Sequence, residues 1–218
     1  MINGRGAMRG AWRWHVGVLA AYALLALAMT WPLARVLGTA IPGDSFDGWQ
    51  NIWNLWWMRE AWLVQHSSAY ATALLHAPTG ADLRFQTMAP FNGLATLPVQ
   101  LTVGLLPAYN AAVLLSFVLG GYGAYLLALY ALRGIHRSSF IVHSAAFLAG
   151  AIFAFSPYHF AHTLGHLQLI ALQWIPFYAL YLLRGMDRQE LQVAGGELQV
   201  DQRPSSASRF TLHAPAFP

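Results

Sequence analysis

The sequence predicts an all-α integral membrane protein. It predicts about four transmembrane helices, one interfacial helix and a further segment that either re-enters the membrane or crosses it. Three observations carry this. Of 218 residues only 20 are charged, 12 basic and 8 acidic, and these 9% compare with about 25% in ordinary soluble domains. Apolar residues make up 57%. The charges also leave long gaps, at residues 14–34, 85–132 and 138–183, and a helix needs about 20 apolar residues to cross a bilayer core. Disorder, which requires low hydrophobicity and high charge, is excluded for this part of the chain.

The first span is read at 14–36, behind Arg5, Arg9 and Arg13. Ala26-Leu27-Ala28 has the form of a signal-peptide cleavage site, but the apolar run continues through Met29, Trp31, Leu33 and Val36. An uncleaved span with cytoplasmic arginines is the preferred reading.

Residues 37–90 form a long outer connection that opens Pro42-Gly43-Asp44-Ser45-Phe46-Asp47-Gly48. Trp49, Trp53 and Trp56 then stand at i, i+4 and i+7. With Trp57 and Trp62 they suggest an amphipathic helix over 48–65 on the membrane surface. Pro78-Thr79-Gly80 marks a turn.

Residues 91–107, with Pro98 inside and Pro107 at the end, are short for a span. Further spans are expected at 108–132, 140–156 and 168–183. Gly120, Gly121 and Gly123 in the first of these favour close helix packing. Residues 1–184 are thus read as the membrane domain. Residues 185–218 are polar, repeat Glu-Leu-Gln-Val at 190–193 and 197–200, and are expected to be a disordered tail.

Placing Arg133/Arg137 and Arg184/Arg188 in the cytoplasm with Arg5–Arg13 requires 91–107 to re-enter rather than cross. The loop carrying His159, His162 and His166 then lies on the same outer side as Asp44 and Asp47. If 91–107 crosses, both arginine pairs fall outside.

Two constellations carry candidate chemistry. Asp44 and Asp47 follow a span directly, where carboxylates are costly to desolvate. Either can act as a general base toward a hydroxyl or help hold a divalent metal. The plainer reading is a solvated turn, with Asp47 capping the surface helix. His159, His162 and His166, at i, i+3 and i+7, share one face of a helix. They suit a phosphate contact better than a metal site, since no glutamate accompanies them as in H-E-x-x-H. Interfacial packing beside Tyr158 and Phe160 is the plainer reading.

Other polar groups carry less. Asn51, Asn54, Asn92, Gln100, Asn110 and Gln173 read as helix–helix hydrogen bonds. His143 lies within a span and marks a buried polar contact. There is no cysteine, hence no disulfide and no thiolate site. Gly120-Gly121-Tyr122-Gly123 follows no strand and is no phosphate loop, and no Walker, G-x-S-x-G or Rossmann motif occurs. The pI of 9.7 comes from arginines bordering spans and not from a nucleic-acid-binding stripe.

Several motifs occur in a telling order: Pro-Gly-Asp-x-x-Asp, Trp53-Asn-Leu-Trp-Trp57, Ala89-Pro-Phe-Asn-Gly93 and Ala108-Tyr-Asn110. Leu119-Gly-Gly-Tyr-Gly-Ala-Tyr125, Ala149-Gly-Ala-Ile-Phe-Ala-Phe-Ser-Pro-Tyr-His159 and Gln173-Trp-Ile-Pro176 follow. In this order, over roughly 12–184, the chain resembles the N-terminal part of bacterial multi-span glycosyltransferases of the GT-C fold. The resemblance implies a partial GT-C-like architecture in the inner (cytoplasmic) membrane. It also implies sugar transfer from a polyprenyl-phosphate carrier on the outer side, with membrane lipid and polyprenyl-phosphate-linked sugar as partners. The family's first-loop aspartate falls best on Asp44 and next on Asp47, and its later outer loops, which help bind the lipid phosphate, on His159–His166. Members of that family are usually much longer, so the resemblance also implies an N-terminal fragment. The competing readings are a non-enzymatic scaffold or subunit, and a histidine-based metal-handling or transport protein.

Overall fold

The computed structural model describes residues 4–43, 46–133 and 138–201, with side chains from Trp12 to Arg188 within those ranges, Phe46 excepted. The described residues are mostly helical: α1 (Gly4–Met29), α2 (Phe46–Arg59), α3 (Pro90–Thr102), α4 (Leu105–Ala131), α5 (Ser139–Ala154), α6 (Pro157–Thr163) and α7 (Trp174–Asp201). A two-stranded antiparallel hairpin, β1 (Ala71–Thr72) and β2 (Ala81–Asp82), pairs Ala71 with Asp82. The chain divides into two compact units, 1–180 and 181–218.

Two helices are long and apolar enough to cross a membrane, Trp12–Met29 of α1 and Leu105–Ala131 of α4. The pair α5–α6, bent by 41°, makes a third if it is one broken span. This is fewer than the four spans expected. The span expected at 14–36 ends early, because Pro32 cannot continue a helix and a short 3₁₀ turn at Leu33–Arg35 replaces it. The span expected at 140–156 is only 16 residues, stopped before Ser156-Pro157. In the segment expected at 168–183, turns occupy 167–173. Helix α7 begins at Trp174, leaving about ten residues, roughly 15 Å, before Arg184. That helix then runs on to Asp201, through half of the segment read as a disordered tail. Met186, Asp187, Gln189, Glu190, Leu191 and Gln192 include several good helix formers. Residues 202–218 lie outside the described residues.

Helix α3 has 13 residues, about 20 Å, too short to cross. The chain reverses at Gly104, and α3 packs against α4. Its faces are inverted relative to a soluble helix: Asn92, Thr96 and Gln100 are buried, while Leu94, Leu101 and Val103 are about 60% exposed or more. The same outward apolar surface recurs on α5, at Phe140, Ile141, Leu148 and Ile152. Of the α1 window only 17% is buried.

The core sits where α2 and α4 meet. Ile52, Leu55, Trp57, Met58 and Ala61 pack with Tyr109, Val113 and Phe117. The helix expected over 48–65 is therefore packed into the fold. It comprises α2 and a π-helical turn at Glu60–Val64. Trp49 is exposed, Trp53 and Trp56 are half-buried, and Trp57 is the tryptophan in the core. Its Nε1–H donates to the Ala69 carbonyl at 3.0 Å.

The small residues of α4 each receive a neighbour. Gly121 faces the Tyr22 ring, Gly120 faces Phe153, and Gly123 faces Pro176 and Phe177. Tyr22 is fully buried, stacks on Phe147 and donates from its hydroxyl to the Phe147 carbonyl at 2.8 Å. That places α1, α4 and α5 around one ring.

Candidate functional site

Two glycine-bearing turns bring the first loop against the turn after α6. At Gly43 φ is +91°, and a Cβ there would collide with the Leu164 carbonyl. At Gly165 φ is +141°, and a Cβ would press on the Gly48 amide nitrogen at 3.2 Å. Only glycine accepts both demands, the left-handed backbone and the close approach. Asn51 bolts the contact: its Nδ2 donates to the Asp47 carbonyl and to the Gly165 carbonyl, each at 2.9 Å.

The result is a pairing of Asp47 with His166. Asp47 Oδ2 lies 3.1 Å from His166 Nε2, with the side chains 48% and 38% exposed. A carboxylate there fixes the imidazole so that Nε2 carries a proton, leaving Nδ1 as the basic nitrogen. Asp47 lies in the first turn of α2, where the helix dipole favours negative charge. His162 follows, edge-on to His166 at 5.2 Å, and Tyr158 packs on His162 at 4.3 Å. Asp44 lies outside the described residues.

His159 does not join this row. It is fully buried, stacked on Phe117 at 4.0 Å, with Nε2 2.9 Å from Ser116 Oγ. Ser116 Oγ also lies 2.7 Å from the Val113 carbonyl. The expectation of three histidines on one helix face fails because α6 ends at Thr163, and His166 lies beyond Gly165 on a turn. Among the described residues no group of three or more histidines, aspartates or glutamates is placed to hold a metal ion.

Beside the pair, an apolar cleft of about 310 Å³ opens between the end of α1 and the end of α6. Trp31, Val36, Pro42, Gly43, Phe160 and Leu164 line it. A separate polar cleft of about 670 Å³ lies at the hairpin, lined by Trp57, Ser68, Tyr70, Thr72, Asp82 and Arg84. There hydrogen bonds from the Arg84 side chain hold the Asp82 carboxyl down to about 2.

Comparison with protein-family models, curated proteins and solved structures finds no match to this chain.

The sequence points to Asp47, His162 and His166 but not to what joins them. Asn51, expected in a helix–helix contact, ties a helix to a loop carbonyl. Gly165, three residues after His162, was the readable signal, since glycine commonly ends a helix in the left-handed conformation. Ser116, one hydroxyl in an apolar helix, carried no signal.

Proposed function

We propose that this chain takes part in glycosyl transfer from a polyprenyl-phosphate-linked sugar, on the membrane side that carries the 37–90 connection. The observation that carries this is the Asp47–His166 contact at 3.1 Å, which joins a first-loop carboxylate to a later-loop imidazole. The apolar cleft beside Gly43 suits a prenyl chain next to that pair.

The chemistry required is simple. An acceptor hydroxyl attacks the anomeric carbon, the bond from that carbon to the phosphate oxygen breaks, and the hydroxyl proton passes to a carboxylate. Asp44 is the base the motif resemblance supplies, and Asp47 is the carboxylate the geometry supplies. His162 stabilises the charge that develops on the departing phosphate, and His166 positions the Asp47 carboxylate.

The test is transfer of labelled sugar from a synthetic polyprenyl-phosphate donor by membranes carrying the full chain. Asp44→Asn and Asp47→Asn are each expected to lower turnover about 100-fold or more, the usual contribution of a general base. His166→Gln should lower it less. Full turnover in both aspartate variants would remove the carboxylates from the mechanism. An Asp47→Asn variant that loses stability alone would mark the pair as a structural clamp, as the scaffold reading requires.

A further inference from the structure

A third cavity lies at the N-terminal end of α1, away from Asp47. It is a groove of about 650 Å³ between α1 and α5, within the 300–1,000 Å³ of typical ligand sites. Its walls include Gly17 and Ala21 from α1 and Phe147 from α5. Gly17 leaves it open, since a Cβ there would meet nothing within 4 Å. Two stacked pairs bridge the helices, Trp14 on His143 at 4.9 Å and Tyr22 on Phe147 at 4.8 Å.

The mouth is polar and cationic. Arg13, His143 and Ser144 line it. Arg13 has no acidic partner among the described residues, and no aspartate or glutamate occurs before Asp44. His143 is held at Nδ1 by the Tyr125 hydroxyl at 2.6 Å, which leaves Nε2 for a ligand. Exposed Trp12 and Trp14 stand at the same level, as aromatic residues do at a membrane–water interface. An unpaired cation above an apolar channel on a membrane-spanning helix matches an amphiphile with an anionic head.

We propose that this groove binds an anionic phospholipid, with its phosphate on Arg13 and the His143–Ser144 edge and one acyl chain along Gly17, Ala21 and Phe147. A zwitterionic lipid places a positive group beside Arg13 and binds less well. Free phosphate lacks the chain that fills the groove.

The test is native mass spectrometry of the full chain, purified in detergent and offered equal phosphatidylglycerol and phosphatidylcholine. The wild type should retain phosphatidylglycerol preferentially. Arg13→Gln should weaken that binding about fivefold, the effect of one basic residue near a lipid surface. Gly17→Leu fills the groove from an unobstructed position and should abolish retention of both lipids. Arg35→Gln, at an arginine stacked on Trp31 instead, should change nothing. Excess inorganic phosphate should leave the lipid bound. Equal retention of the two lipids, displacement by phosphate, or wild-type binding in either Arg13→Gln or Gly17→Leu would overturn the proposal.

Discussion

Asn51 shows what single amide side chains do in this protein. It is 2% exposed, and both of its donor hydrogens are spent on backbone carbonyls. Asn110 does the same for the Leu37 and Ala40 carbonyls, each at 2.8 Å, and Asn54 donates to Thr87 O at 3.1 Å. Gln100 reaches from α3 to Leu55 O on α2 at 3.1 Å. A buried carbonyl without a partner costs about 1–3 kcal/mol, so Asn51, Asn54 and Asn110 each secure loop carbonyls that helices cannot satisfy. Asn51→Ala should therefore destabilise the protein by about 1–3 kcal/mol. It should also separate Asp47 from His166, since nothing else described ties residue 165 to α2 by a side chain. Thermal unfolding in detergent checks the first effect. Disulfide trapping between Asp47→Cys and His166→Cys, with and without Asn51→Ala, checks the second. Equally efficient trapping in both backgrounds would show that the glycine turns alone hold the loops together.

At the scale of elements, the sequence was legible where proline, serine and glycine act locally and opaque where tertiary contact decides. Pro157 gives the α5–α6 break and Gly104 sits at the reversal before α4, and both can be read without a structure. The inverted faces of α3 could not be, because α2 supplies the carbonyl that pairs with Gln100, and α2 is distant in sequence. The tryptophan stripe misled for the same reason: periodicity found Trp49, Trp53 and Trp56, but packing chose Ile52, Leu55, Trp57 and Met58. Gly150 is a further case, unremarked in the sequence beside the glycines of α4. A Cβ there would collide with the Tyr22 hydroxyl and with the Gly121 carbonyl, so α1, α4 and α5 meet at that point. Gly150→Ala should cost about 1–3 kcal/mol through overpacking, although alanine is the better helix former. Gly17→Ala, where the added methyl meets nothing within 4 Å, should leave stability unchanged or slightly raised. Melting temperatures of the two variants, measured side by side, test this. Equal values would deny that the Tyr22 junction is close-packed.

For the whole molecule, the Asp47–His166 contact decides how often the chain crosses. Helix α1 carries it from the N-terminal arginines to the side of the first loop. Helix α3 is too short to bring it back, and α4, at 27 residues or about 40 Å, is long enough. The end of α4 at Ala131 then lies on the N-terminal side, yet His166 must return to Asp47. Only α5 with α6 can make that return. Residues 139–163 span roughly 35 Å even with the 41° bend, enough for a bilayer core. If the pair forms in a membrane, the chain should cross three times up to Thr163, with α5–α6 as a broken span. This arrangement puts Arg133 on the side of Arg13, as the distribution of arginines about membrane spans favours. The protein has no cysteine, so single cysteines report without background. In sealed vesicles of known orientation, a membrane-impermeant maleimide should label Ser67→Cys and Leu169→Cys from one side. It should label Trp12→Cys and Ser138→Cys from the other. Ser67→Cys and Leu169→Cys labelled from opposite sides would mean that α5–α6 does not cross. The 3.1 Å pair could not then form in a membrane, and the candidate site would fall with it.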